Sequence, residues 1–485
     1  MPASNVGAET RFVFDYLDRN AAAIASLGDA IFRFAEPGLQ EIETVKLMTG
    51  ILEEHGFAVE RGISGFPTAF LATYGSGDPV IAMHTEYDAN PENSQASGIA
   101  EKQEIIPGAP GHCEGHNVNA AVMVAAALAI KKAKDQFGIG GTLKVFGAPA
   151  EELVLARPYF VRDGYFDDVD AAFHDHIWGE LATEYGQIQI AAVSAEFTFH
   201  GETAHAGLAP WRGRDALDAV VLMDMGVAQY REHMEPTMRA HRAITNGGTQ
   251  PNVIPAEASV WWYFRDPSAD GANALFEQAK KIAEGAALMT KTTWDVAVKS
   301  AVWPVRANQT LAETVQRNID MIGAPDWSDE EQALAKALQK AADAPEIGLH
   351  TEARPLTGPA EMIMASNDCG DITWKVPSAR LWFPGNVPGV SYHHWTGGAV
   401  LAHSIAHKGA VAGAKTLAAS VLDTFIDPEI VERAQDTHAE ELGDISYRPL
   451  LPADQEPPLG ANEELMARFR PLLEKQYSKE TPIFE

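Results

Sequence analysis

Residues 142–152 read TLKVFGAPAEE, a short apolar run that ends in two adjacent glutamates. The run predicts a buried strand over Thr142–Phe146, and two other runs repeat the arrangement. Val80–His84 (VIAMH) leads into an acidic segment, and Asp170–His174 (DAAFH) leads into His-Asp-His. Helical patterns separate the runs, so the sequence predicts an α/β fold whose sheet is flanked by helices. Ligands of open α/β sheets bind beyond the carboxyl ends of the strands, and we therefore expect a functional site where these polar residues gather.

The hydrophobic pattern changes near residue 188, where longer alternating strands begin. Two such strands, IQIAAVSAEFTFHG and ASVWWYFRD, occur together with helical segments at Asp215–His233 and Ala272–Leu288. This combination predicts a small α+β domain inserted into the α/β domain. The predicted units are residues 1–188 and 306–445 for the α/β domain, 189–305 for the inserted domain, and 446–485 for a Pro-rich surface extension.

Several helices of the α/β domain are predicted from apolar spacing and capping residues. They cover residues 10–34, residues 41–56, a segment from an N-cap at Asn117 to about Asp135, and Ala399–Phe425. The most apolar stretch, Ala120–Ile130, is far shorter than the roughly 20 residues that a membrane span requires. It is therefore expected to be part of a core helix.

The composition limits the kinds of partner. Lys and Arg number 37 and Asp and Glu 67, which gives a net charge of −30 over 485 residues. A surface this acidic repels phosphate backbones and anionic lipids, so neither nucleic acid nor a membrane is an expected partner. Two cysteines, Cys113 and Cys369, are too few for a disulfide framework. The first twenty residues carry no basic segment followed by an apolar run, and the expected location is the cytoplasm.

Residues that commonly bind metals follow the predicted strands. The segment GHCEGHN (111–117) holds two histidines and a glutamate between glycines and leads into a predicted helix. Two divalent metals about 3.5–4 Å apart can activate one water and polarise a carbonyl. Such a pair needs carboxylate and imidazole ligands, together with one carboxylate that stays off the metals and takes the proton of the water. The adjacent Glu151 and Glu152 suit these two different roles.

These segments resemble the dinuclear metallopeptidases and amidohydrolases of the aminoacylase/carboxypeptidase type. The resemblance is strongest to the branch of p-aminobenzoyl-glutamate hydrolase and indole-acetyl-amino-acid hydrolases. Among the matching segments are AEPGLQEIET (35–44), GHCEGHN (111–117), GAPAEE (147–152), GETAHAGLAPWRGRDALDAV (201–220) and CGDITWKVP (369–377). The resemblance covers about nine-tenths of the chain. It implies a catalytic domain with a mixed sheet that binds two metals, and an inserted lid domain through which two copies of the chain dimerise.

The resemblance also implies roles for individual residues. Glu151 corresponds to the general base, and Asp88 to the acid of the first motif. In the lid, His205 corresponds to a histidine that reaches the active site of a partner subunit and stabilises the oxyanion. Asn252 and Arg265 correspond to positions near the substrate carboxylate. The remaining positions correspond to metal ligands: His116, Glu152, His176 and His393, with His394 as an immediate competitor of His393.

One departure from the related sequences concerns the metals. They usually carry Cys-Gly-His where this chain has Glu114-Gly115-His116, so a carboxylate takes the place of a bridging thiolate. We expect Glu114 to be the ligand, with Cys113 as the alternative one residue earlier. Oxygen in place of sulfur makes the site harder, which favours Mn²⁺, while Zn²⁺ stays possible. A second departure is the bulkier and more apolar segment 153–157, where related sequences have small residues.

The sequence thus predicts a metal-dependent amidohydrolase. Its expected substrate is a small amide that joins an aromatic acyl or arylamine group to an amino acid, and a metal-bridged hydroxide would attack the amide carbonyl. One alternative keeps the dinuclear site for hydrolytic deamination or for cleavage of an unusual aryl amide. Another is a relative without catalytic activity that binds a ligand. The reaction product separates the first two, and the substitution Glu151→Gln tests the third.

Overall fold

The computed structural model of the chain describes residues 7–478 and 481–485. The expectation that no targeting segment is present concerns in part residues 1–6, which lie outside the described residues.

A seven-stranded sheet forms the centre of the larger domain. Its strand order is β1-β2-β4-β3-β5-β13-β6. Strands β3, β4, β5 and β13 run parallel to their neighbours in this group, whereas β1, β2 and β6 pair antiparallel. The predicted mixed sheet is thereby confirmed. The strands are β1 (Ala58–Arg61), β2 (Phe70–Ser76), β3 (Val80–Glu86), β4 (Gly141–Ala148), β5 (Ala171–Trp178), β6 (Ala182–Thr183) and β13 (Ser378–Pro384).

Helices cover this sheet because their small apolar residues pack closely. In α4 (His116–Phe137) nearly every residue from His116 to Ile130 is buried, as expected for an Ala-rich helix in the core. The long helix α12 (Ser404–Ile426) is long and apolar enough to cross a membrane, but its most apolar window is 78% buried inside the fold. The other helices of this domain are α1 (Ala8–Arg19), α2 (Ala21–Phe34), α3 (Ile42–Glu54), α5 (Ala156–Arg162), α8 (Gln309–Ile322), α9 (Asp329–Ala341), α10 (Gly370–Lys375), α11 (Trp395–Gly398) and α13 (Glu429–Leu442).

Three predicted helix boundaries are wrong, each for a local reason. The helix predicted over residues 10–34 is two helices, because the chain leaves helical geometry at Asn20. Helix α4 begins at His116 after the left-handed Gly115, while the side chain of Asn117 donates to the carbonyl groups of Gly28 and Leu401 instead of capping. The last core helix begins at Ser404, where the ring of His403 accepts the amide hydrogen of Ile405.

The inserted domain is a four-stranded antiparallel sheet with two helices. Its order is β11-β8-β10-β9, with β8 (Ala191–His200), β9 (Arg239–Asn246), β10 (Glu257–Asp266) and β11 (Thr293–Val302). Helices α6 (Ala216–Tyr230) and α7 (Ala269–Thr290) pack on the sheet. On β10 the residues alternate, so that Trp262 and Phe264 are buried while Tyr263 and Arg265 lie on the other, partly exposed face. A short pair, β7 (Gly186–Gln187) and β12 (Arg306–Ala307), joins the two domains.

The C-terminal segment packs against the larger domain. Its helix α14 (Glu463–Leu473) buries Met466, Phe469 and Leu473 against Ala35 and Ala109. Arg470 pairs with the buried carboxylate of Glu36, 2.5 Å away.

Candidate active site

The carboxyl ends of three neighbouring strands meet at one edge of the central sheet. Asp88 follows β3, Glu151 and Glu152 follow β4, and His176 lies near the end of β5. His116 is the first residue of α4 and enters the same space. The parallel pairing of β3 with β4 and with β5 places these ends side by side.

Four ligand-type side chains converge there: Glu114, His116, Glu151 and Glu152. Each offers an atom that lies within 4.8 Å of the others. The Nε2 atom of His116 lies 3.7 Å from a carboxylate oxygen of Glu114 and 3.8 Å from one of Glu151. His116 Nε2 and Glu152 Oε1 are buried and have no hydrogen-bond partner within residues 7–478 and 481–485. Buried polar atoms are normally satisfied, and these orphaned atoms therefore indicate that a ligand completes the cluster.

Gly115 permits the turn that brings Glu114 and His116 together. Its φ is +94°, in the left-handed region that disfavours other residues. A Cβ atom at this position would lie 2.4 Å from the side chain of Ile177. The glycine in GHCEGHN thus has a steric reason.

A second group shares His116 and adds Glu86 and His176. The Nδ1 atom of His176 lies 2.8 Å from the carbonyl oxygen of Ile177, to which it donates. The other ring nitrogen, Nε2, is therefore left as an acceptor and lies 3.7 Å from Glu86. The three side chains can also surround one ion. The two groups together have the composition of a dinuclear centre.

The structure distinguishes between the two pairs of neighbouring candidates. His393 has a left-handed backbone (φ +56°), and its Nε2 lies 2.5 Å from Glu114 and 3.2 Å from Glu152. His394 instead hydrogen bonds with the hydroxyl of Thr396, at 2.8 Å. Cys113 is buried and points to Asn90, with its sulfur 3.0 Å from the amide oxygen.

Asp88 and Asn367 orient the clustered residues. One carboxylate oxygen of Asp88 lies 3.2 Å from His116 Nδ1, and the other accepts the backbone N–H of Glu152 at 3.1 Å. The side-chain amide of Asn367 donates to Glu151 Oε1 at 2.5 Å. Each of these contacts fixes a residue of the cluster from the side away from the cluster centre.

Burial and the crowding of carboxylates decide the protonation of the cluster. Burial, followed by repulsion from Glu152, raises the pKa of Glu151 well above its ordinary value, although His116 opposes the shift. Burial also raises the pKa of Glu152, next to the charge of Glu114. Hydrogen bonds to Glu114 and Glu152 raise the pKa of His393 to about 10. For His116 burial alone would lower the pKa, but the hydrogen bond to Asp88 outweighs it and the pKa is raised.

An ion network lies beneath the cluster. Arg157 is fully buried and pairs with both Glu86 and Asp368, and its Nε donates to His84 Nδ1 at 3.2 Å. Glu86 also contacts His174, 3.0 Å away. The segment 153–157, which the sequence shows to be bulky, thus ends in a charged residue that is paired inside the protein.

The lid residues with predicted roles lie apart from this cluster. His205 is exposed, and its Nδ1 accepts the backbone N–H groups of Gly207 and Leu208, at 3.2 Å each. Asn252 is exposed on the neighbouring segment. Arg265 points toward the catalytic domain, where it donates to Ser366 Oγ at 3.2 Å. Among the described residues no hydrogen bond or ion pair joins these three side chains to Glu114, Glu151 or Glu152.

Comparison with known proteins agrees with this arrangement. The profile of the peptidase dimerisation domain of the M20 family matches residues 191–290. One of the two p-aminobenzoyl-glutamate hydrolase polypeptides of Escherichia coli K12 is 35% identical over 473 residues, which cover 92% of this chain and 98% of that protein. This chain belongs to the M20 family. The sequence-based assignment to this family and the predicted fold class are confirmed.

Two further M20 relatives show the range of the family. The Xaa-Arg dipeptidase of Mus musculus is 28% identical, covering 86% of this chain and 89% of that protein. The Bacillus subtilis YxeP protein, described as a dinuclear metal binding peptidase of the M20 family, has a TM-score of 0.54 and 19% identity, and covers 84% of this chain and 99% of that one. The M20 relatives are hydrolases of amide bonds, and this chain is an enzyme of the same type.

Two side chains of the M20 site were not selected from the sequence, namely Glu86 and Asn367. Glu86 stands two residues before Asp88, and the alternation of a strand places both on one face, so the segment HTEYD already held the signal. Asn367 lies 216 residues from Glu151, and no local pattern marks it.

Proposed function

We propose that this M20 enzyme is a metal-dependent amidohydrolase that cleaves an aromatic acyl or aryl conjugate of an amino acid. The observation that carries the proposal is the convergence of Glu114, His116, Glu151 and Glu152 on one point, with orphaned atoms on two of them. The similarity to a p-aminobenzoyl-glutamate hydrolase polypeptide supports the substrate class.

The donor set fits two divalent ions. Glu114, His116, Glu152, His176 and His393 would hold them, and Glu86 is placed to assist through His176. With no thiolate among these donors, Mn²⁺ is favoured and Zn²⁺ is the second choice. When bound, the metals would supply an activated water and polarise the substrate carbonyl.

Proton transfer is the task of Glu151. It is buried, its pKa is raised by that burial, and Asn367 fixes one of its oxygens. A carboxylate in this state can take the proton of the attacking water and return it to the leaving nitrogen. Asp88 keeps His116 and Glu152 oriented throughout.

The lid would complete the site in a dimer. We propose that His205, which is exposed on the lid, stabilises the oxyanion in the partner's active site, and that Asn252 and Arg265 bind the substrate carboxylate. The match of residues 191–290 to a dimerisation domain supports a homodimer through the lid. A cytoplasmic location agrees with the two cysteines, which are both free and buried.

Product analysis tests the proposal. Enzyme stripped with a chelator, with and without added Mn²⁺, is incubated with p-aminobenzoyl-glutamate, N-benzoyl-amino acids, dipeptides and aminoarenes, and products are identified by mass spectrometry. Metal-dependent release of an amino acid is the expected result. Ammonia released from an aminoarene would replace the proposal by a deaminase, and the absence of any product would contradict it.

A further inference from the structure

Three aromatic rings form a continuous surface beside the metal-ligand cluster. They belong to Trp178 at the end of β5, Trp382 on β13 and Tyr392 in the loop before His393, and we call them the aromatic platform. The ring centroids of Trp178 and Trp382 are 5.4 Å apart, and those of Trp178 and Tyr392 are 5.2 Å apart. These distances lie in the usual range for interacting aromatic pairs.

The aromatic platform adjoins two of the candidate ligands. The ring of His176 lies 5.5 Å from Trp382 and 6.4 Å from Tyr392. Trp382 is opposite His176 in the register of β13 and β5, and Trp178 lies two residues further on the same face. Tyr392 directly precedes His393 in the chain. A substrate whose amide lies at the cluster would therefore reach these rings with the group next to the amide.

The aromatic platform is fixed on one side and open on the other. The indole N–H of Trp382 donates to Glu184 at 2.8 Å, and the hydroxyl of Tyr392 donates to the carbonyl of Ile177 at 3.0 Å. Trp178 is 42% exposed, although His176 two residues earlier is buried. Held in this way, the rings offer a preformed surface that loses little side-chain entropy when a ligand binds.

We propose that the aromatic platform binds the aromatic group of the amide substrate and selects it over an aliphatic group of the same size. Stacking on Trp178 and edge contacts with Tyr392 are the interactions that distinguish a flat ring from a saturated one. The inference rests on the proposed amidohydrolase function, but its test is separable from that function.

The test compares two substrates that differ only in the ring. N-benzoyl-glutamate and N-cyclohexanecarbonyl-glutamate carry the same amino acid and nearly the same volume. For the Mn²⁺-loaded enzyme, kcat/KM is measured for both substrates with wild type, Trp178→Ala, Trp178→Leu and Trp178→Phe. The leucine variant keeps apolar area without a ring, and the phenylalanine variant keeps a ring.

The expected result is a preference for benzoyl in the wild type that falls about 3- to 10-fold in the alanine and leucine variants, the size of one aromatic pair. The phenylalanine variant should keep most of the preference. Equal losses for both substrates, or a leucine variant that behaves as wild type, would overturn the inference and leave the amidohydrolase function intact.

Binding provides a second readout that does not depend on turnover. Benzoate and cyclohexanecarboxylate are titrated into the same metal-loaded proteins by calorimetry. Tighter binding of benzoate that depends on an aromatic residue at position 178 supports the aromatic platform, even if neither conjugate is hydrolysed. Equal affinities for the two acids in the wild type would refute it.

Discussion

The Arg157→Met substitution would leave two buried carboxylates without the guanidinium that pairs with both. Arg157, Glu86 and Asp368 are each fully buried. Methionine keeps the volume of the side chain but loses the contacts to both carboxylates and to His84. Glu86 keeps His174 and Asn119 as partners, at 3.0 and 3.1 Å, and this limits the damage on one side.

The size of the effect follows from these contacts. Two hydrogen bonds between charged groups at about 1.5–3 kcal/mol each amount to about 3–6 kcal/mol. Protonation of a stranded carboxylate recovers part of this, and we expect a loss of about 3–5 kcal/mol in the free energy of unfolding, the range typical of a broken buried ion pair. The measurement is urea denaturation of the metal-free protein, followed by tryptophan fluorescence.

The matched control neutralises the whole network. The triple variant Arg157→Met, Glu86→Gln and Asp368→Asn removes all three charges, and it should recover most of the lost stability because no buried charge is left unpaired. A single variant that loses less than about 1 kcal/mol would refute the reasoning, since a buried unpaired carboxylate costs more than that. A triple variant as unstable as the single one would refute it as well.

Three further predictions concern the active site. Asn367→Ala should lower kcat about 10-fold or more with little change in KM, because Glu151 loses the hydrogen bond that fixes it; a parallel loss in KM on steady-state assay would contradict this. Glu114→Cys should shift the metal preference from Mn²⁺ toward Zn²⁺ in competition titrations, and an unchanged preference would exclude Glu114 as a ligand. Metal affinity should rise between pH 6 and pH 9 with release of protons, because an ion must displace the proton of His393, whose pKa is raised to about 10; calorimetry in buffers of different ionisation enthalpy would show no proton release if this is wrong.

Local patterns were sufficient for the parts of the fold that depend on sequence neighbours. The apolar runs at 80–84 and 142–146 lie within β3 and β4, and the alternation in ASVWWYFRD lies within β10. The break at Asn20 and the late start of α12 at Ser404 were missed, because the residues on both sides of each boundary are equally compatible with a helix. Packing and side-chain contacts of the backbone decide such boundaries, and neither is visible along the chain.

The site shows the same division. Glu114, His116, Glu151 and Glu152 come from two short segments, and their clustering follows from the order of parallel strands. Asn367 comes from a segment more than 200 residues away, which only the folded chain brings to Glu151.

Arg157 illustrates a different reason for a missed role. It follows four apolar or small residues, so its segment has the appearance of an apolar wall. Its burial depends on Glu86 and Asp368, which come from two other parts of the chain. A charged residue in an apolar run can therefore mark a buried ion pair whose partners the sequence does not identify.

The measurement that tests the central claim most directly compares wild type with Glu151→Gln in both metal content and turnover. Metal content is measured by inductively coupled plasma mass spectrometry, and hydrolysis is measured on the same preparation with the best amide substrate. The account predicts two divalent ions per chain in both proteins and a turnover about 10²- to 10⁴-fold lower in the variant, the usual contribution of a general base. A variant that keeps its metals and hydrolyses the amide at nearly the wild-type rate would contradict the account.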